Sequence, residues 1–115
     1  MTPSLYTFAA LEEARRQTSL QDLSPTEMTM ISGFSLQWRQ DAEPLTVLTS
    51  MRLFDDQLSP STVHRHLKKL REHALIAVTP DKDDNRIKHI VPTLRLLGAF
   101  KQIEDALAQC EVMAA

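Results

Sequence analysis

Glycine is nearly absent from this chain. Two glycines in 115 residues are too few for the turns of a β-sandwich or barrel, and aromatic residues, at 5%, are too few to fill one. A single cysteine excludes an internal disulfide framework and points to a reducing, cytoplasmic setting. No apolar run is long enough to span a membrane, and the opening MTPSLYTF lacks the basic-then-apolar order of a secretory signal. Glycine-rich phosphate loops, nucleophile–base pairs and carboxylate pairs at meaningful spacing are missing, so neither an enzyme nor a cofactor is expected. Repeats and low-complexity tracts are missing too. With 43% hydrophobic residues, the chain can fill one core but not two, and residues 1–115 read as one domain.

What is there is unevenly distributed. The net charge is −2, which by itself argues against non-specific binding to nucleic acid. Residues 60–90, however, carry seven basic and four acidic residues, a local balance of +3 that leaves −5 on the remainder. All four histidines fall in the same stretch. The basic charge is concentrated in one segment, as on a nucleic-acid-binding face.

That segment begins as a capped amphipathic helix. Ser59 is a good N-cap, and Pro60 suits the first helical position, where a missing N–H costs nothing. Val63, Leu67, Leu70 and Ala74 recur at four, three and four, which puts them on one core stripe. At about 100° per residue, Ser61, Thr62, Arg65, Lys68 and Lys69 point the other way, with His64 and His66 flanking. Such a face fits a DNA major groove, early positions at base edges and later lysines at phosphates. Charge alone favours an ordinary solvated surface helix; the segment that follows changes the balance.

Ile76, Val78, Ile87 and Val91 are β-branched and spaced as two short strands. Between them, Pro80-Asp81-Lys82-Asp83-Asp84-Asn85 has the composition of a turn. Arg86 and Lys88 are expected on one strand face. An arginine at the base of such a loop can enter a narrow minor groove, and Asp83 or Asp84 would orient it by a charge-assisted hydrogen bond. The plain alternative is a surface hairpin with self-paired charges.

The remaining elements read as scaffold. Ser24 and Glu27 form a capping box with Pro25 at the first helical position, and Met28, Ile31, Phe34 and Trp38 line one face. A second helix is expected from about Leu45 to Phe54, with Leu45, Leu48 and Met51 in the core. Leu5, Phe8 and Ala9 suggest a short N-terminal helix that breaks near Thr18 to Asp22. After Thr93, a cap residue, Leu96, Phe100, Ile103, Leu107, Cys110 and Ala114 recur at four, three, four, three and four, a seam of about three heptads. Leu94, Leu97 and Met113 widen it. One small domain can cover only part of such a stripe, so a dimer interface through Leu96, Phe100, Ile103, Leu107 and Cys110 is expected, against the plainer reading of a helix packed on its own domain.

Sharper chemistry is weak. His64 and His66 stand two apart on a helix, about 200° around it, and do not share a metal easily. Cys110 lies on an apolar seam without basic neighbours, which favours a structural thiol over a redox sensor. Met30, Phe34 and Trp38 have two readings, core residues or the lining of a small-molecule effector pocket, of which the core is the commoner.

The run Leu58-Ser59-Pro60-Ser61-Thr62-Val63, the pair Leu67 and Leu70, and an Asp…Asp…Arg turn in a segment closing at Thr93 resemble the DNA-binding half of the MarR family of bacterial winged-helix regulators. Leu23-Ser24-Pro25-Thr26-Glu27 and Pro44-Leu45-Thr46-Val47 are similar to that family's entries into the two preceding helices. His73-Ala74 stands where the family usually has a glycine cap. The resemblance implies a mostly α fold: a winged helix-turn-helix over residues 25–92 with a two-stranded antiparallel wing, an N-terminal helix and connector over 1–24, and a C-terminal dimerisation helix over 93–115. It implies a homodimer on a palindromic double-stranded DNA site. The contacts would come from Ser59, Ser61, Thr62, His64, Arg65, Lys68 and Lys69 on the helix and from Lys82, Arg86 and Lys88 on the wing. A plasmid or phage replication or partition factor with a similar head, and a winged helix used only for protein docking, are the alternatives. The docking module would not need its basic residues on one side.

Overall fold

The computed structural model describes residues 3–40 and 44–114, with side chains over residues 5, 7–39 and 44–109. Contacts divide the chain into two compact units, Leu23–Thr93 and a terminal unit made of the segments up to Asp22 and from Leu94 onward.

The terminal unit holds α1 (Pro3–Arg16) and α5 (Leu94–Ala114), which pack on each other, joined on the α1 side to a 3-10 turn at Ser19–Asp22. Thr18 ends α1 locally: its hydroxyl donates to the Arg15 carbonyl at 2.9 Å and accepts from the Leu20 N–H at 3.2 Å. Ala14, Leu20, Leu96 and Ala99 are buried. Leu96, the first residue of the expected seam, is 0% exposed within the single chain. Phe100, Ile103 and Leu107 are half-buried, and the side chain of Cys110 lies outside the described residues. Leu5, Phe8, Leu94 and Leu97 are exposed, so the apolar surface of this unit lies partly on residues that the heptad reading treated as secondary.

The second unit contains α2 (Pro25–Gln40), α3 (Val47–Leu53), α4 (Pro60–Glu72), β1 (Ile76–Pro80) and β2 (Lys88–Pro92). The capping box at the start of α2 forms as its spacing dictates. The Glu27 N–H donates to the Ser24 hydroxyl at 3.2 Å, and the Glu27 carboxylate accepts from the Ser24 N–H at 3.4 Å. A second capping box, between Thr46 and Thr49, opens α3 two residues later than the sequence suggests. That shift turns Leu48 outward, 64% exposed, and buries Ser50 and Phe54 instead; Leu45 is buried ahead of the helix.

The interior of this unit is Met30, Ile31, Phe34, Leu45, Phe54, Val63, Leu67, Leu70, Leu75, Ile76 and Ile90. Phe34 stacks at a tilt on Trp38 and on Phe54, with centroids 5.9 and 5.7 Å apart. The Trp38 Nε1–H donates to the Ile90 carbonyl at 3.1 Å. Met30 and Phe34 are thus core residues, and Trp38 ties α2 to β2. Gly33 is the point of closest approach: a Cβ there would lie 2.8 Å from the Phe54 ring.

The last turn of α4 departs from the expected stripe. Ala74 is not on the helix; it adopts φ 59°, in the left-handed region. The Leu75 N–H reaches the Leu70 carbonyl at 3.1 Å and the Ala74 N–H reaches the Arg71 carbonyl at 2.9 Å. This is the Schellman pattern, completed by the buried pair Leu70 and Leu75. Chain reversal leads directly into β1. The strands pair antiparallel with Val78 opposite Ile90 and Pro80 opposite Lys88. The buried residue of β2 is therefore Ile90, while Ile87 and Val91, both expected in the strand, are exposed and Ile87 precedes it. A backbone bridge joins Thr46 to His89, and the Ile90 N–H donates to the Leu45 carbonyl at 2.7 Å. The wing is thereby fastened to the entry of α3. Among the described residues no helix is long and apolar enough to cross a membrane.

Candidate nucleic-acid interface

The exposed side of α4 begins at its cap. The Ser59 hydroxyl accepts from the Thr62 N–H at 3.3 Å and lies 2.8 Å from the Thr62 hydroxyl and 3.2 Å from that of Ser61. The first turn thus presents a cluster of three hydroxyls. Ser61, His64, Arg65, Lys68 and Lys69 are exposed and Thr62 is half-buried, while Val63, His66, Leu67 and Leu70 are buried. The angular separation expected from a period of 3.6 residues is realised, with one change: His66 belongs to the inner face.

Between α4 and the wing runs an open cleft of about 630 Å³. His64, Lys68 and Arg71 line it from α4, one stripe at spacings of four and three, and Lys88 lines it from β2. Val47, Leu67, Val78 and Pro80 form its apolar floor and walls. Of the residues singled out in the sequence, His64, Lys68 and Lys88 meet here; Ser59, Ser61, Thr62, Arg65, Lys69, Lys82 and Arg86 lie outside it. Arg71 was not among them, although its spacing from His64 and Lys68 was visible.

The wing turn is ordered by two aspartates. The Asp81 carboxylate accepts from the N–H groups of Asp83 at 3.0 Å and Asp84 at 3.1 Å, and its other oxygen lies 2.7 Å from the His89 Nε2. The His89 contact, then those N–H groups, hold the Asp81 carboxyl below the usual carboxylate range. Asp84 accepts from the Arg86 Nε and terminal N–H at 3.1 Å each, and from the Arg86 backbone N–H at 3.0 Å. This guanidinium lowers the Asp84 carboxyl in turn. Arg86 stands in the turn and not on the strand face with Lys88, and its side chain is 90% exposed.

Beneath the exposed face lies a contact that the sequence does not announce. The His66 Nδ1 is 2.5 Å from the Glu27 Oε2, both side chains being buried. The same oxygen accepts from the Ser24 hydroxyl at 2.7 Å. Burial pushes the Glu27 carboxyl up, but the hydrogen bonds from Ser24 and His66 outweigh it and leave the group below its usual range. Among the described residues no group of histidine, cysteine, aspartate and glutamate is placed to hold a metal ion.

No family model and no curated protein sequence matches the chain. Solved structures do. The transcriptional regulator Tm0710 from Thermotoga maritima is 21% identical, with 89% of this chain and 67% of that one covered at a TM-score of 0.60. A mutant of MepR from S. aureus, solved bound to an oligodeoxyribonucleotide, is 22% identical, with 97% and 78% covered at 0.61. A MarR transcription factor from Planctomyces limnophilus is 18% identical, with 97% and 78% covered at 0.51. The fold of this chain is therefore the MarR-like winged helix-turn-helix.

Proposed function

We propose that this protein is a sequence-specific double-stranded DNA-binding transcription regulator, acting in the cytoplasm as a homodimer on a palindromic site. The observation that carries the reading is the cationic cleft, where His64, Lys68 and Arg71 of α4 face Lys88 of the wing. A continuous set of donors on two elements suits a phosphate backbone running between them. The hydroxyl cluster and Arg65 then meet base edges in the major groove, with Lys69 at a flanking phosphate. Arg86, presented by Asp84, reaches the neighbouring minor groove, with Lys82 in the same turn. A similar fold has been solved with an oligodeoxyribonucleotide, in MepR.

The dimer is supported by the apolar surface of the terminal unit: Leu5, Phe8, Leu94 and Leu97 exposed, with Phe100, Ile103 and Leu107 half-buried beside them on the sequence stripe. Two copies double the contacts and match a two-fold site. Regulation follows from occupancy, by blocking or recruiting polymerase. The test is fluorescence anisotropy with a random duplex and with a duplex selected by the protein from a randomised pool, each at two salt concentrations. Tighter binding to the selected duplex and a steep salt dependence are expected. No binding to either duplex would overturn the reading.

A further inference from the structure

The geometry points to Glu27 and His66 as a positioning pair that sets the angle at which α4 meets DNA, and hence its sequence discrimination. This rests on the DNA-binding reading above. A capping-box glutamate ordinarily serves its own helix at the surface. Here Glu27 is 3% exposed, and its carboxylate reaches a histidine 39 residues further on. His66 sits among Val63, Leu67 and Leu70 on the inner side of α4, one residue from the exposed Arg65. Those three apolar side chains hold α4 down, but hydrophobic contact is non-directional and tolerates small rotations of the helix about its axis. A buried hydrogen bond to an ionised carboxylate does not. Glu27 is itself fixed by Ser24 through three bonds within the box. The N-terminus of α2 therefore acts as a rigid peg, and His66 is the buried polar side chain of α4 that engages it. A rotation that broke this pair would move Arg65 and Ser61 relative to base edges, whereas phosphate contacts from flexible lysines would adapt.

Three variants test it, each on the selected and the random duplex, with folding checked by circular dichroism. His66→Leu removes the donor, and discrimination between the two duplexes should fall about tenfold, the amount one good base contact carries, while random-duplex affinity stays within about twofold. His66→Asn, whose amide N–H reaches the place of Nδ1, should restore most of the discrimination. Equal weakening on both duplexes, or an Asn variant no better than Leu, would overturn the pair. If His66→Leu does not fold, Glu27→Gln decides. It keeps length and cap but weakens the charge-assisted bond, so discrimination should fall severalfold; a value equal to wild type overturns the proposal. A wild type that binds no duplex removes the DNA-binding reading and this inference together. A wild type that discriminates, with variants that discriminate equally, removes this inference alone.

Discussion

Asp84 grips Arg86 at three points, two on the guanidinium and one on the backbone N–H. Acidic residues in a turn proposed to contact DNA look contradictory by charge count. The geometry resolves this, since the aspartate aims the one arginine at the tip and leaves its outer face exposed.

Arg86→Ala should weaken DNA binding and lower the slope of log affinity against log salt by about 1, because one counterion-releasing contact is gone. Asp84→Ala should reproduce part of the loss, since an unrestrained arginine loses entropy on binding. A titration series over salt measures both. An unchanged slope in the arginine variant would exclude Arg86 from the interface.

Arg65 stands exposed in the second turn of α4. Arg65→Ala should cost about 1–3 kcal/mol on the selected duplex, as for loss of a bidentate guanine contact, and less on random DNA. Competition binding on the two duplexes separates the outcomes, and equal losses would make Arg65 a phosphate contact only.

Ile103 is half-buried within the single chain. In the proposed dimer, Ile103→Glu places an unpaired carboxylate in the interface at a cost of several kcal/mol per subunit. Light scattering at matched micromolar concentration should give twice the chain mass for wild type and one chain mass for the variant. A monomeric wild type would remove the dimer and the palindrome inferred from it.

Ala74 adopts a backbone conformation that costs a residue with a Cβ about 1–2 kcal/mol. Ala74→Gly should therefore stabilise the protein by about 1 kcal/mol, against the general trend for glycine substitution. Urea denaturation measures it. A loss of stability would mean that the Schellman turn does not set the end of α4.

The two glycines should respond in opposite directions to alanine. Gly98 has nothing within 4 Å of its would-be Cβ, so Gly98→Ala should gain about 0.8–1 kcal/mol of helix propensity. Gly33→Ala drives a methyl into the Phe54 ring and should lose about 1–3 kcal/mol. Thermal melts of the pair check this; a stabilised Gly33 variant would show that the Phe54 ring yields freely.

What the sequence disclosed was chiefly local chemistry. The caps at Ser24 and Ser59, the stripe Val63, Leu67 and Leu70, the composition of the wing turn and the Asp–Arg contact all act within a few residues, and each formed. Errors arose where phase or distance decided. Two threonines at 46 and 49 cap α3 reciprocally, and reading Leu45 as helical put Leu48 on the wrong face. In a five-residue strand, a start misplaced by one residue exchanges faces, which is why Ile90 and not Ile87 or Val91 is buried. The Glu27–His66 contact spans 39 residues and leaves no periodic trace. Leu96 kept heptad spacing but is used inside its own chain, and periodicity cannot tell which protein surface a stripe covers.

The bridge from Thr46 to His89, with the Ile90 N–H on the Leu45 carbonyl, pins the base of the wing to the helix-turn-helix. The wing then behaves as a cantilever, with a clamped root and a free tip closed by the Asp81 N–H on the Ile87 carbonyl. Insertions or deletions between Asp81 and Ile87 would lengthen or shorten its reach without disturbing the root. In the proposed complex, the distance along DNA between α4 and the Arg86 tip thus becomes an independently adjustable dimension, open to variation while α4 stays as it is.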